Sequence, residues 1–143
     1  MRKYIVIKSL PLILLVISLL AVGCSSVDNL IKEDEYGGRA KVYQISQEQA
    51  YELARTVFRW LGAKDNEIER NTVEKYINWT GIMMAIIEPV DESNTRVIAI
   101  KAPTPCAPME KRPTEQDFHG YFSQAVNLIH AGKPLPTVIR SIN

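Results

Sequence analysis

The residues IMMAII (82–87), DESN (91–94) and RVIAIK (96–101) form the stretch that decides the fold. The first run is apolar at every position, as in a central strand, and the third is rich in β-branched residues. The four polar residues between them are typical of a turn. The sequence therefore predicts a β-hairpin with strands over 82–90 and 95–101.

A helix is predicted over 47–61, before this hairpin. Ser46 and Gln49 match a capping box, and Gly62 follows as a stop signal. Six apolar residues recur between them at helical spacing and make one apolar stripe: Ala50, Leu53, Ala54, Val57, Phe58 and Leu61.

A second helix is predicted after the hairpin. The segment 103–113 contains four prolines, which exclude a regular element there. Thr114 then caps a helix that Gly132 ends. Its apolar stripe consists of Phe118, Tyr121, Phe122, Ala125, Leu128 and Ile129.

Two further strands complete the expected fold. Residues 41–45 alternate polar and apolar side chains, and residues 72–79 are rich in β-branched and aromatic ones. The resulting order, strand-helix-strand-strand-strand-helix, predicts an α+β fold, a two-layer sandwich in which two helices pack on a small, mostly antiparallel sheet. One globular domain is expected over 41–143, preceded by a flexible tether over 24–40.

The composition fits a folded protein and gives no sign of a nucleic-acid partner. The 143 residues are 46% hydrophobic and 23% charged, and the formal net charge is +1. Without residues 1–23, which hold three basic and no acidic residues, the net charge becomes −2. A mildly acidic domain has little affinity for phosphate backbones.

The first 24 residues have the pattern of an export signal. Three basic residues within 1–8 precede the uncharged, apolar run 9–22, which is shorter than the about 20 residues that a spanning helix needs. Small residues then lead into Cys24. This segment resembles the lipobox of bacterial lipoproteins, with Ala21 at the position where leucine is most common.

The resemblance implies a signal peptide over 1–23, cleavage between Gly23 and Cys24, and a diacylglycerol on the Cys24 thiol. Two or three acyl chains on one cysteine hold a protein stably at a membrane without a transmembrane helix. Ser25, in place of aspartate, favours the periplasmic face of the outer membrane in a Gram-negative source. The alternative is an uncleaved signal anchor in which Cys24 is an incidental thiol.

The sequence predicts no metal site, no cofactor and no catalytic residue. His119 and His130 lie 11 residues apart on one face of the second helix, about 16 Å along its axis, which is too far to share an ion. They are expected to be partly exposed surface histidines. Cys106 lies in the proline-rich segment and has no disulfide partner once Cys24 carries lipid. The carboxylate pairs Glu67/Glu69 and Asp91/Glu92 are typical of solvated loops.

Trp60 and Trp79 are the candidate contacts for a ligand or a partner, with core packing as the alternative for both. The preferred function is a non-catalytic, lipid-anchored envelope lipoprotein that binds another envelope protein or supports an assembly. The second hypothesis is a small-ligand or cell-wall-binding module that uses the two tryptophans. The third is a small periplasmic hydrolase built on His119 or His130.

Overall fold

The computed structural model describes residues 39–102 and 112–138. These ranges contain five strands and two α-helices: β1 (Arg39–Tyr43), α1 (Gln47–Trp60), β2 (Ile68–Asn71), β3 (Tyr76–Trp79), β4 (Met83–Pro89), β5 (Thr95–Lys101) and α2 (Glu115–His130). The strands form one antiparallel sheet in the order β1-β5-β4-β3-β2. The predicted α+β fold, with two helices packed on a small antiparallel sheet, is confirmed.

The hairpin that decides the fold lies at the centre of the sheet. β4 and β5 pair from Met83↔Lys101 to Pro89↔Thr95. Their turn is closed by the Asp91 carboxylate, which accepts a hydrogen bond from the Ser93 backbone N–H at 2.8 Å. A central position buries both faces of these strands, which explains why their sequences are apolar at consecutive positions.

The single strand predicted over 72–79 is wrong in its first half. Residues 68–71 and 76–79 form two paired strands, and the residues between them form the turn. The Asn71 side-chain oxygen accepts hydrogen bonds from the backbone N–H groups of Val73 and Glu74, and Lys75 has a φ of 59°. An asparagine that bonds to its own following backbone starts a turn, and this local bonding prevails over the β-propensity of Val73.

The first strand also begins earlier than expected. β1 starts at Arg39, two residues before the expected start of the domain, and ends at Tyr43 rather than at residue 45. Arg39 and Ala40, which the sequence places in the tether, are therefore paired with β5 opposite Ala99 and Ile98.

Both helices begin at the predicted caps. In α1 the Ser46 hydroxyl accepts from the Gln49 N–H at 3.2 Å, and the Gln49 side chain accepts from the Ser46 N–H at 3.0 Å. Thr114 and Asp117 make the same reciprocal pair at the start of α2, at 3.1 and 2.8 Å. Gly132, with a φ of 68°, follows the end of α2 in the left-handed region that terminates helices.

The main core lies between the helix layer and one face of the sheet. Phe118 of α2 is at its centre, with ring centroids 5.4 Å from Phe58 of α1 and 5.5 Å from Phe122. Alternate residues of the central strands, such as Met83 and Ala85, join the same cluster. The two helices therefore share one face of the sheet.

The opposite face of the sheet carries a second, smaller cluster of buried residues, here called the back-face cluster. It consists of Tyr76, Met84, Ile86, Ile98, Ile100 and Ala102. All six come from β3, β4, β5 and the residue after β5, and none comes from a helix.

Several predicted features lie outside the described residues. These are the signal peptide over 1–23 with Gly23, the lipidated Cys24, the tether up to residue 38, and Cys106. In the two described ranges, neither helix combines the length and the hydropathy needed to cross a membrane.

Candidate functional site

The two histidines connect α2 to the first residue of β1 and to the residue that follows its last one. His119 Nε2 lies 2.7 Å from the Arg39 carbonyl oxygen, and His130 Nε2 lies 2.8 Å from the Gln44 carbonyl oxygen. Because a carbonyl only accepts, Nε2 is the donor in both contacts. The eleven residues from His119 to His130 span about 16.5 Å along α2, and the five residues from Arg39 to Gln44 span about the same length in an extended strand. The spacing of the histidines therefore matches the spacing of the two carbonyl groups.

His119 is also the centre of a hydrogen-bond chain between β1 and α2. The Tyr43 hydroxyl lies 2.8 Å from Nδ1 and donates to it, since Nε2 holds the ring proton. The Ser123 hydroxyl donates to the Tyr43 oxygen at 3.4 Å, and Lys41 Nζ donates to Ser123 at 2.9 Å. The chain therefore requires a neutral imidazole.

The surroundings of these hydrogen bonds favour the neutral form of the His119 imidazole. Burial lowers the pKa of His119, and the nearby charges of Lys41 and Arg39 lower it further; the bond to the Arg39 carbonyl and the Glu115 charge oppose this. Burial raises the pKa of Tyr43, with the Ser123 bond opposing it. Both ring nitrogens of His119 are thus engaged in holding β1, which leaves no lone pair for a metal or a substrate proton.

The carboxylates that the sequence pairs also have local structural contacts. Glu67 accepts a bond from the Lys64 N–H at 2.9 Å. The bonds from the Asn94 side-chain amide and the Ser93 backbone N–H lower the pKa of Asp91. Within residues 39–102 and 112–138, no three histidine, cysteine, aspartate or glutamate side chains come together as a metal site.

The two tryptophans occupy different environments. Trp79 is only 4% exposed, belongs to the main core, and lies 6.2 Å from the Phe58 ring. A side chain so buried offers no surface to a ligand. Trp60, the last residue of α1, is half-buried, so part of its side chain is exposed at the surface.

Two contacts hold Trp60 in place. Its Nε1 donates to the Pro136 carbonyl oxygen at 2.9 Å, and its ring meets the Tyr121 ring edge-on at 6.4 Å. Leu135, which precedes Pro136, also packs against the main core. No sequence pattern signals the contact between Trp60 and Pro136, because the two residues lie 76 positions apart.

Two small grooves lie beside this tryptophan. One has a volume of about 210 Å³ and is lined by Trp60, Leu61, Pro113, Asp117 and Tyr121. The other, of about 220 Å³, is lined by Thr56, Arg59, Leu135, Pro136 and Thr137. The residues of these two grooves are here called the Trp60 surface.

A larger groove lies where β1, α1 and the β4–β5 turn meet. It has a volume of about 410 Å³ and a mostly polar lining of Gln44, Ile45, Ser46, Gln49, Glu92, Ser93 and His130. None of the three grooves is lined by Trp79.

Arg70 is a charged residue that the sequence analysis missed. Its guanidinium forms a two-pronged pair with Glu48 of α1 at 2.9 and 2.6 Å and lies 4.2 Å from the centre of the Tyr51 ring. The Arg70 bond lowers the pKa of Glu48. These contacts join β2 to α1, so Arg70 has a structural role in the sheet–helix interface.

The chain matches no protein-family model, no curated protein and no solved structure.

Proposed function

We propose that the protein is a lipid-anchored envelope lipoprotein whose small α+β domain binds another envelope protein without catalysing a reaction. The lipobox-like segment ending at Cys24 supports the anchor. The observation that carries the binding role is the Trp60 surface, where the half-buried rings of Trp60 and Tyr121 line one small groove and Pro136, the hydrogen-bond partner of Trp60, lines a second.

The size of these grooves favours a protein partner over a small molecule. Each has about 210 or 220 Å³, below the about 300–1,000 Å³ of pockets that enclose drug-sized ligands. A groove of this size accepts one side chain of a partner. Tryptophan and tyrosine are also the residue types that most often dominate binding energy at protein interfaces.

The contacts of Trp60 also reduce the entropic cost of binding. Its ring is held by the Pro136 carbonyl and by Tyr121 before any partner arrives. A side chain already fixed in one rotamer loses little freedom on association. We therefore place the partner's apolar side chains in the groove that Trp60 and Tyr121 line.

A small-ligand or cell-wall-binding module is the second candidate, and the larger groove favours it. Its volume of about 410 Å³ falls within the range of ligand pockets, and Gln44, Gln49 and Glu92 provide polar contacts for a hydroxyl-rich ligand such as a glycan. Titration with soluble cell-wall fragments, compared between the parent and Glu92→Ala, tests it: saturable binding that the variant weakens would support this candidate, and no binding to the parent would contradict it.

The anchor is tested by mass spectrometry of the mature N-terminus from separated membrane fractions. We expect a chain that begins at an acylated Cys24, and a Cys24→Ser variant that is neither processed nor fractionated like the parent. Cys106→Ser is the matched control and should behave as the parent. Normal processing of Cys24→Ser would refute the anchor.

The binding surface is tested by photo-crosslinking in cells. A photoreactive amino acid replaces Thr137, an exposed residue of the Trp60 surface, and in a control chain it replaces Val73, an exposed residue of the β2–β3 turn. We expect a discrete adduct with one envelope protein from position 137 and not from position 73. Trp60→Ala should weaken that adduct at least several-fold. Equal adducts from both positions, or none from position 137, would contradict the proposed surface.

A further inference from the structure

We infer that the groove lined by Trp60 and Tyr121 binds an arginine side chain of the partner protein, and that Asp117 provides the opposite charge. This inference rests on the proposed function, because it names the chemistry that the Trp60 surface recognises. It adds a requirement for a positive charge, which the size of the groove and its aromatic lining do not impose by themselves.

The first observation is the arrangement of the two aromatic rings. Their centroids lie 6.4 Å apart and their planes are inclined by 67°, and both residues line the same groove. The face of an aromatic ring is negative and attracts a cation that lies within about 6 Å of the ring centre. The indole N–H of Trp60 is already donated to Pro136, so the ring has no hydrogen-bond donor left for an anionic ligand.

The second observation is a carboxylate in the same groove. Asp117 lies four residues before Tyr121 on α2, so the two side chains are neighbours on one face of the helix, and both line the groove. Asp117 Oδ2 accepts one bond, from the Thr114 backbone N–H at 2.8 Å. In residues 39–102 and 112–138, no lysine or arginine forms an ion pair with this carboxylate. Its remaining lone pairs are therefore open to a cationic ligand.

The ends of the two helices at this groove also favour a positive ligand. α1 ends at Trp60, and its C-terminal cap, Leu61, lines the groove as well. The carbonyl groups at the end of a helix carry a partial negative charge, which stabilises a nearby cation. The beginning of α2 carries the opposite partial charge, but Glu115 and Asp117 in its first turn offset it.

The basic residues closest to this groove in the chain are engaged elsewhere. Arg112 directly precedes Pro113, a residue of the groove, but its guanidinium donates to the Ala102 carbonyl oxygen at 2.7 Å. Arg59 lines the second groove of the Trp60 surface, where it forms an ion pair with Asp65. A positive charge in the second groove disfavours a cationic ligand there. The arginine is therefore assigned to the groove that holds the carboxylate.

Arginine fits these surroundings better than lysine. Its planar guanidinium stacks on aromatic rings and is more weakly hydrated than an ammonium group, so it loses less on leaving water. Its aliphatic stem packs on apolar surface while the charged head reaches a polar group, and Leu61 and Pro113 provide that apolar surface. The apolar contact that the proposed function places in this groove is then made by the stem of the arginine.

The first test follows the binding of short peptides to the isotope-labelled full-length chain by NMR, in an uncharged detergent. The indole N–H signals of Trp60 and Trp79 are separate reporters, and a Trp60→Phe variant assigns them. The probe is acetyl-glycyl-arginyl-glycinamide, and the same peptide with citrulline is the control, because citrulline has the shape of arginine without its charge. We expect the arginine peptide to shift the Trp60 signal saturably and to bind at least fivefold more tightly than the citrulline peptide.

Two matched variants then test the carboxylate. Asp117→Asn removes the charge but keeps a side-chain oxygen for the Thr114 N–H, and it should lower the affinity for the arginine peptide at least fivefold. Glu115→Gln removes an equal charge from the same helical turn. Because Glu115 accepts a bond from the Lys101 N–H at 3.2 Å and does not line the groove, this variant should bind as the parent does. The signal of Trp79, a core residue, should stay in place in both variants and so report an intact fold.

Several results would overturn the arginine site. Equal affinities for the arginine and citrulline peptides would do so, as would the absence of a saturable shift; neither result depends on the stability of a variant. Unchanged affinity in Asp117→Asn, or an equal loss in Glu115→Gln, would also overturn it. Tetramethylammonium that binds as tightly as the arginine peptide would indicate a lipid-headgroup site and overturn the assignment to a protein side chain.

The photo-crosslink from position 137 separates this inference from the proposed function. In that chain, Asp117→Asn should weaken the adduct at least several-fold, and Glu115→Gln should leave it unchanged. An adduct that Asp117→Asn does not weaken overturns the arginine site and leaves the proposed partner in place. Selective binding of the arginine peptide without any adduct supports the arginine site and contradicts the proposed envelope partner.

Discussion

Replacing His119 by leucine should destabilise the domain at neutral pH and weaken its sensitivity to acid. The imidazole makes two contacts, with the Tyr43 hydroxyl at 2.8 Å and with the Arg39 carbonyl at 2.7 Å. Leucine has a similar volume but can make neither, so both partners lose a hydrogen bond. At about 1 kcal/mol for each bond, we expect the free energy of unfolding to fall by about 2 kcal/mol.

The acid sensitivity follows from the lowered pKa of His119. The unfolded chain takes up a proton at an ordinary histidine pKa, about 6.5, whereas the folded chain resists it because the ring is buried. Below that pH the unfolded state therefore binds more protons than the folded state. The parent should lose stability as the pH falls through 6.5, until the pH passes the lowered pKa of the folded state.

The assay is denaturant unfolding followed by tryptophan fluorescence at pH 7.5, 6.5, 5.5 and 5.0, on the Cys24→Ser chain without residues 1–23. His119→Leu should lower the free energy of unfolding by about 2 kcal/mol at pH 7.5 and flatten the change in stability between pH 7.5 and 5.0. Ser123→Ala removes a hydroxyl from the same hydrogen-bond chain but keeps the imidazole, and so should keep the parent's pH dependence. An equal pH dependence in His119→Leu and the parent would refute this account.

Three further predictions concern stability. Gly120→Ala should stabilise the domain by about 0.5–1 kcal/mol, because an added Cβ at this helical position meets nothing within 4 Å. Gly132→Ala should destabilise it by about 1 kcal/mol because of its φ of 68°. A lower melting temperature for Gly120→Ala would contradict the first prediction, and a higher one for Gly132→Ala would contradict the second. Phe118→Ala, at a fully buried site, should cost about 3–5 kcal/mol in denaturant unfolding, and the half-buried Tyr121→Ala clearly less. Thr114→Ala should cost about 1 kcal/mol by removing the cap of α2, a loss that Thr114→Ser largely restores in the same assay.

The elements with strong local signals could be predicted from the sequence. The hairpin of β4 and β5 and both helices with their caps depend on patterns within about twenty residues, and the structure has them nearly as expected. The turn over residues 72–75 was not predicted, because it depends on one side chain. The Asn71 oxygen accepts hydrogen bonds from the following N–H groups, and this local bonding is an alternative to a strand. β-Propensity alone predicts one strand over residues 72–79.

The surface features could be predicted only in part, because they depend on contacts far apart in sequence. The shared face of His119 and His130 follows from helical spacing, but their partners on β1 lie about 80 residues away. The choice between core and surface for the two tryptophans likewise depends on the packing of α1 against the sheet and against Pro136. No periodicity encodes such contacts.

The two histidine contacts on β1 have a consequence for the behaviour of many copies together. Among the described strands β1 lies at the edge of the sheet, and an edge is where another chain can add a strand and start an intermolecular sheet. Here α2 holds both ends of that edge, and the strand itself carries Arg39 and Lys41, whose charges repel a like copy. A chain that the proposed lipid would concentrate in one plane would meet its own copies constantly. Because β1 is short, charged and held by hydrogen bonds to α2, neighbouring copies at the membrane are expected to remain separate molecules and not to pair their edge strands into fibrils.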